Sequence, residues 1–299
     1  MKTYTLYQID SFTTTPFMGN PAGVITNADG LSDIDMQNIA RELNNSETAF
    51  FLSPSNNDYD GELRYFTPAV EVPTCGHATI AAIYAKALEN QWDNCTLHIK
   101  TKVGILPMQV IRSEDDFTIA MTQGKIEISN PLEDPYRKEI MSVLGLTEDD
   151  MDKRCPVKIA STGHSKVMIG INSRAKLNTL EPDFIKLANL SKRIQCNGYF
   201  VFTFDTDKKN VLTEGRMFAP AIGINEDPVT GNANGPLGAY LVYHNLVKYD
   251  DSFYFNGYQG EKAGRPGIVT VNVKIKGGIP ETVTILGKAV VFFKTEITV

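Results

Sequence analysis

The chain of 299 residues is 42% hydrophobic, which is enough to build a large core and excludes a disordered protein. A formal net charge of -6, with no block of lysine and arginine, argues against a nucleic-acid-binding surface. The sequence shows no signal-peptide pattern and no apolar run of the ~18 residues that a membrane helix needs. We therefore expect a cytoplasmic protein that acts on a small molecule, without nucleic-acid or membrane partners.

Alternating and continuous apolar runs predict the strands of the first half, and helical spacing predicts its helices. The strands are expected at 3–10, 49–52, 63–66, 96–100, 105–110 and 117–121. The helices are expected at 32–43 and 78–88, and the second is apolar nearly all round, as a buried helix would be. A proline-containing link near 123–135 then leads into the second half.

A similar order of elements follows the link. Helices are expected at 134–144 and 183–190, and strands at 157–159, 166–169, 199–204 and 211–217. Another Gly-rich helix start follows near Thr230, and residues 253–299 are strand-rich.

Two short segments match in sequence and in their neighbours. "RYFTPA" at 64–69 corresponds to "RMFAPA" at 216–221, and each precedes a helix start, "CGHATIAA" from Cys75 and "TGNANGPLGA" from Thr230. This ordered match predicts an internal duplication. We expect two similar domains, 1–125 and 126–299, and it stays open whether the last strand, at about 289–295, returns to the first domain.

Both helix starts contain a glycine followed by small residues. Such a start exposes unpaired backbone N–H groups at the positive end of the helix dipole and therefore binds anions. A single glycine here would be read as close packing of helix on sheet, but the paired occurrence of Gly76 and Gly231 favours a site. Two such ends facing an inter-domain cleft would hold a carboxylate-bearing substrate.

Other site types lack their sequence patterns. No GxGxxG follows the first strand and no GxxxxGK[ST] occurs, so a nicotinamide or ATP enzyme is not expected. The cysteines form no CxxC zinc pattern, and no metal site is predicted.

Three ionisable residues near these motifs are candidates for chemistry. Glu47 precedes an apolar strand that would raise its pKa by desolvation, which suits a general acid/base, although it could simply end a turn. His77 lies in the first helical turn, where the dipole favours a neutral imidazole, in a site or in a structural role. Asp227 either caps its helix or takes part in proton transfer, and Glu226 is interpreted as its solvated neighbour.

An arginine opens each of the two matching segments. Arg64 and Arg216 could bind a substrate carboxylate, but their identical placement equally suits a structural salt bridge.

On these residues the chain resembles the PhzF-like proteins of phenazine biosynthesis, which share the two-domain fold of diaminopimelate epimerase. The resemblance covers nearly the whole chain. Its motifs are "QIDSFTTTPFMGNPAGV" from Gln8, "ARELNNSETAFF" from Ala40, "RYFTPAVEVPTCGHAT" from Arg64, "RMFAP" from Arg216, "EDPVTGNANGPLGAYL" from Glu226 and "QGEKAGRPGIVTV" from Gln259.

The resemblance implies an α+β fold in which each domain is a strongly curved, mostly antiparallel, barrel-like sheet around a central helix. It implies a homodimeric isomerase that needs no cofactor and moves a proton on a small carboxylate-bearing substrate. Glu47 would be the general acid/base, with His77 and Asp227 as catalytic partners. The implied substrate-binding residues are Asn20, Cys75, Gly76, Thr230, Gly231 and Asn232.

Two alternatives stay open. Diaminopimelate epimerases carry a cysteine at each helix start, whereas here Thr230 stands opposite Cys75, so a two-thiol racemisation is not available as such. Cys75 alone could still act as the base of an amino-acid racemase. The protein could also bind small carboxylates without turnover.

Overall fold

The structure, a computed structural model, describes residues 1–114 and 116–299. The chain divides into unit 1, residues 1–122 with 286–299, and unit 2, residues 123–285. The strands are β1 (Thr3–Ser11), β2 (Asn20–Ile25), β3 (Thr48–Leu52), β4 (Gly61–Phe66), β5 (Glu71–Val72), β6 (Cys95–Thr101), β7 (Gly104–Ser113), β8 (Asp116–Thr122), β9 (Glu127–Pro131), β10 (Lys158–Ser161), β11 (Lys166–Ile171), β12 (Tyr199–Thr203), β13 (Thr213–Ala219), β14 (Ile224–Asp227), β15 (Ser252–Gln259), β16 (Gly267–Lys276), β17 (Ile279–Gly287) and β18 (Ala289–Thr298).

The helices are fewer and include one buried helix in each unit. They are α1 (Asp33–Leu43), α2 (Gly76–Asn90), α3 (Asp134–Val143), α4 (Arg174–Thr179), α5 (Phe184–Ile194) and α6 (Gly231–Tyr243), with short 3-10 turns at Glu148–Asp150 and Pro220–Ile222. Within the described residues, no helix has the length and apolar character needed to cross a membrane.

The sheet of unit 1 wraps around α2. Its strands pair in the order β18-β1-β2-β3-β4-β6-β7-β8, and only β2–β3 and β4–β6 are parallel pairs. Helix α2 contacts β18 and β1 at one end of this order and β7 and β8 at the other. Strands from both ends can reach one helix only if the sheet is strongly curved. Every side of the first ten residues of α2 is buried, which explains why its sequence is nearly all apolar.

The sheet of unit 2 repeats this topology around α6. Along β1-β2-β3-β4-β6-β7 the pairs are antiparallel, parallel, antiparallel, parallel and antiparallel, and the same series runs along β10-β11-β12-β13-β15-β16. The short strands β5 and β14 pair with β4 and β13 in the same way. The structure therefore confirms the predicted α+β fold with internal duplication.

Additional helices cover apolar clusters in each unit. Helix α1 begins at a Ser32–Asp35 capping box and buries Met36 and Ala40 among strand residues of unit 1. In unit 2, α3 and α5 bury Ile140 and Leu187 against β11 and β12.

Several strands escaped the sequence analysis. Strand β2 contains Pro21 and Gly23, and β9 lies inside the link at 123–135 and ends at Pro131, so neither shows a clean strand pattern. Strand β18 pairs with β1 from Thr3↔Thr298 to Ser11↔Ala289 and so belongs to unit 1.

The two arginines of the matching segments form structural ion pairs. Arg216 donates to both carboxylate oxygens of Glu226 at 2.8 and 2.7 Å and to the carbonyls of Leu177 and Leu180 at 3.0 and 2.9 Å. Glu226 is thus a half-buried ion-pair partner, not the solvated residue that the sequence analysis expected. Arg64 pairs with Glu71 at 2.8 and 3.0 Å in the corresponding place.

We predict that Arg216→Met lowers the free energy of unfolding by about 3–5 kcal/mol, because it leaves a half-buried carboxylate and two carbonyls without their donor. Arg64→Met should cost only about 1 kcal/mol, since the Arg64 side chain is 18% exposed, against 5% for Arg216. Urea unfolding of both variants measures the difference. Equal losses would contradict this account of the two positions.

Candidate active site

Three chemically reactive side chains of unit 1 converge at the start of α2. The Cys75 sulfur lies 3.3 Å from Nδ1 of His77, and Nε2 of His77 lies 3.6 Å from a carboxylate oxygen of Glu47. The Ser46 hydroxyl lies 3.3 Å from the same Nε2. Glu47 and His77 are only 13% and 7% exposed, so these groups interact in a largely dehydrated environment.

Backbone geometry explains how the cluster forms. Cys75 is the N-cap of α2, in an extended conformation with φ -149° and ψ 120°, and His77 is the second helical residue. Glu47 directly precedes β3, which pairs with β2 and β4. The helix start and the strand start therefore bring residues distant in sequence together.

Buried hydroxyl groups fix the first turn of α2. Ser11 donates to the carbonyl of His77 at 2.8 Å, and Thr79 donates to the carbonyl of Cys75 at 2.6 Å. Because the Thr79 proton is used in that bond, the Tyr65 hydroxyl, 2.7 Å away, must donate to Thr79. Asn20, 1% exposed, pairs with Ser11 across β1 and β2 and so lies beside these anchors.

Burial sets the electrostatics of Glu47. Desolvation raises the pKa of its carboxyl group above the ordinary value, and hydrogen bonds from Ser46 and Cys75 partly oppose that shift. A raised pKa keeps a carboxyl group closer to its titration midpoint at neutral pH, as general acid/base chemistry requires.

The side chains of this cluster are of the kinds that bind metal ions. Within residues 1–114 and 116–299, one ligand atom each of Glu47, Cys75 and His77 can be chosen so that all lie within 4.8 Å of one another. Zinc accepts such ligands. The positive end of α2 at this position opposes a cation, however, and supports an anionic group instead.

In unit 2, Asp227 and Thr230 meet at the start of α6. Thr230 is the N-cap, extended with φ -120° and ψ 105°, and its hydroxyl lies 2.5 Å from Oδ2 of Asp227. Asp227 is only 8% exposed. Thr230 and Cys75 thus occupy the same N-cap position in the two units, with a hydroxyl group in place of a thiol.

Gly231 and Asn232 form the first turn of α6, next to a buried glutamine. Nε2 of Gln123 donates to the Gly231 carbonyl at 3.4 Å and to Oδ1 of Asn232 at 2.9 Å, while Oε1 of Gln123 accepts from Thr162 at 2.7 Å. A Cβ atom on Gly235 would lie 1.8 Å from Oε1 of Gln123, so this glycine allows the close approach.

Comparison with known proteins identifies the family of the chain. A family model described as phenazine biosynthesis-like protein, PhzC-PhzF, matches residues 9–295. The chain belongs to this family. An uncharacterized isomerase of Clostridium acetobutylicum is 55% identical over 298 residues, covering 99% of both chains. Trans-2,3-dihydro-3-hydroxyanthranilate isomerase of Pseudomonas chlororaphis is 32% identical, covering 95% of both chains. The crystal structure of a PhzF-family phenazine biosynthesis protein of Bacillus anthracis superposes with a TM-score of 0.90 at 32% identity and full coverage of both chains.

The candidate site contains residues that the sequence analysis did not single out. Ser46 precedes Glu47 in the "SETAFF" motif, so its position was a usable signal. Gln259 opens the "QGEKAGRPGIVTV" motif, which was a usable signal, whereas Gln123 offered none because no local pattern marks a buried glutamine.

Lys166 adds a buried cation to unit 2. Its side chain is 8% exposed, and Nζ donates to the Ser165 carbonyl at 3.2 Å. Burial lowers the pKa of Lys166, whereas the negative charge of Asp227 acts in the opposite direction. Burial and the Lys166 charge also lower the pKa of His164.

We predict that Glu47→Gln makes the protein more stable, and more so at high pH. The folded state binds the Glu47 proton more tightly than the unfolded chain does, so ionisation destabilises the fold as the pH rises from the unfolded pKa through the raised folded pKa. Glutamine cannot ionise, so the variant does not suffer this loss of stability at high pH. The melting temperature should rise on the order of 2 °C at about pH 8 and hardly at all at about pH 4.

Thermal unfolding at both pH values tests this, with Glu42→Gln as the control for an exposed glutamate. A gain from Glu47→Gln that is equal at both pH values would rule out the desolvated carboxyl group.

Proposed function

We propose that this chain is an isomerase that moves a proton on a small carboxylate-bearing substrate, with Glu47 as the general acid/base and without a cofactor. The observation that carries the proposal is the burial of the Glu47 carboxyl group against Cys75 and His77 at the start of α2, which raises its pKa. The isomerase names of its relatives and the family membership support the reaction class.

In the proposed reaction, the Glu47 carboxylate removes a proton from an activated carbon of the substrate. The electron pair of that C–H bond moves into the conjugated or carboxylate-activated system. The neutral Glu47 acid then returns a proton to a different carbon, so that the product is an isomer and no redox change occurs. The first amides of α2, at Gly76 and His77, would stabilise the developing negative charge because the first N–H groups of a helix have no acceptor within it.

His77 has a defined part in this scheme. Its ring touches Cys75 through Nδ1 and faces Glu47 and Ser46 through Nε2, so we assign it to orienting the Glu47 carboxyl group and relaying protons. In unit 2 we assign Asp227 as a substrate-contacting partner, by the family resemblance and by its position beside the α6 N-cap.

A second candidate is an amino-acid racemase that uses Cys75 as its base. The observation that favours it is the 3.3 Å contact between the Cys75 sulfur and Nδ1 of His77, an arrangement that can generate a thiolate. Binding of small carboxylates without turnover is the third possibility.

We expect solvent deuterium to enter a substrate in the presence of wild-type protein, and Glu47→Gln to lower that rate by at least about 100-fold, because it removes the acid/base group. Mass spectrometry and NMR of small unsaturated and amino carboxylates, including trans-2,3-dihydro-3-hydroxyanthranilate and diaminopimelate, provide the readout. Cys75→Ala should retain the rate within about tenfold.

The exposed control Glu42→Gln should behave as wild type. Loss of deuterium exchange in Cys75→Ala but not in Glu47→Gln would instead establish that the protein is a racemase with Cys75 as its base. A ligand that binds tightly but exchanges no deuterium would support the third possibility, binding without turnover.

A further inference from the structure

Gln259, the last residue of β15, inserts its carboxamide into the start of α6. Its side chain is 1% exposed. Oε1 accepts from the Thr230 amide at 3.1 Å and from Nδ2 of Asn234 at 3.2 Å. Nε2 donates to the Asp227 carbonyl at 2.7 Å and to the Thr230 hydroxyl at 3.0 Å.

The backbone partners fix which way this carboxamide points. A backbone N–H can only donate and a backbone carbonyl can only accept, so the oxygen must face the Thr230 amide and the nitrogen the Asp227 carbonyl. Asn234 is fixed in the same manner, because its Nδ2 donates to the Thr230 carbonyl at 3.0 Å. Both hydrogens on Nε2 of Gln259 are then used.

This orientation determines where the Thr230 proton goes. The Thr230 oxygen accepts a hydrogen bond from Gln259, which leaves its own hydrogen for a different partner. Oδ2 of Asp227 lies 2.5 Å away and must therefore accept it. A carboxylate oxygen that accepts a fixed hydrogen bond is stabilised in its ionised form. The positive charge of the buried Lys166 side chain interacts with Asp227 and acts in the same direction.

We propose that Gln259 is a positioning residue that orients the Thr230 hydroxyl toward Asp227 and so holds the Asp227 carboxylate ionised and in one orientation. Its importance for catalysis rests on the proposed function, in which Asp227 contacts the substrate. Gln259 itself need not touch the substrate.

The network is maintained at a cost in stability. Oδ1 of Asn234 is buried without a hydrogen-bond donor, and it lies so close to Gly257 that a Cβ atom there would be 2.0 Å away. A buried acceptor without a donor destabilises the folded state. If the Asn234 amide were turned over, its oxygen would face two other acceptors, the Thr230 carbonyl and Oε1 of Gln259. These two acceptors therefore keep Nδ2 in place and leave Oδ1 without a donor. Local costs of this kind are typical of functional sites.

The ionisation of Asp227 tests the proposal without any substrate. In protein labelled with 13C at aspartate carboxyl carbons, the Asp227 resonance is assigned by its loss in Asp227→Asn. Gln259→Met should lower the ionised fraction of Asp227 at a given acidic pH, because the Thr230 hydroxyl is no longer constrained to donate. Gln123→Met is the matched control, since it removes another buried glutamine at the same helix start, whose hydrogen bonds go to Gly231, Asn232 and Thr162.

A double-mutant cycle separates positioning from general destabilisation. Thr230→Val removes the hydroxyl group but keeps the backbone amide, so Gln259→Met should cause no further change in Asp227 ionisation in that background. An unchanged ionised fraction in Gln259→Met, or an equal change in both backgrounds, would overturn the proposal.

Where a substrate is turned over, Gln259→Met should lower kcat about tenfold with a smaller change in KM and move the acidic limb of the pH–rate profile upward by about one pH unit. The NMR experiment decides the role of Gln259 even if no isomerase activity is found.

Discussion

The burial of one carboxyl group at the start of a buried helix is the constraint on which the proposed chemistry of unit 1 depends. Glu47 is placed there by the start of β3, and α2 presents Cys75 and His77 to it. Desolvation raises the pKa of Glu47, and the first amides of α2 provide positive potential in the same place. A carboxyl group in water would have neither property, so the curved sheet that buries the helix is a requirement of the site.

The duplicated topology provides two such helix starts with different chemistry. In unit 1 the N-cap is Cys75, next to a histidine and a glutamate, whereas in unit 2 it is Thr230, hydrogen-bonded to Asp227. The two units share the extended geometry of the N-cap and the ion pair of the preceding arginine, Arg64 or Arg216. The side chains at the N-caps differ, so one fold can place a thiol beside a buried glutamate at one helix start and a neutral hydroxyl group at the other.

The sequence predicted the buried helices and the duplication because both depend on local patterns. The all-apolar α2 and the repeated "R-x-F-[TA]-P-A" segment are visible in a few residues. Strands β2 and β9 were missed because their prolines and their place in loops hide the pattern, and pairing with distant strands forms them. The contacts of Glu226 and Gln259 escaped the sequence analysis because each is made with a residue of a different element, 10 and 29 positions away. The sequence could not decide whether Arg64 and Arg216 bind a substrate carboxylate or form salt bridges, because that depends on the distances between their side chains and the nearby carboxylates.

The most direct test of the central claim is the pKa of Glu47 itself, measured by NMR titration of protein labelled with 13C at glutamate carboxyl carbons and assigned by loss of the signal in Glu47→Gln. The account predicts a pKa above the ordinary 4.5 of a glutamate, because burial outweighs the hydrogen bonds from Ser46 and Cys75. A pKa at or below 4.5 would show that the carboxyl group is hydrated or held as a stable anion, and would contradict the assignment of Glu47 as the group that exchanges protons with the substrate.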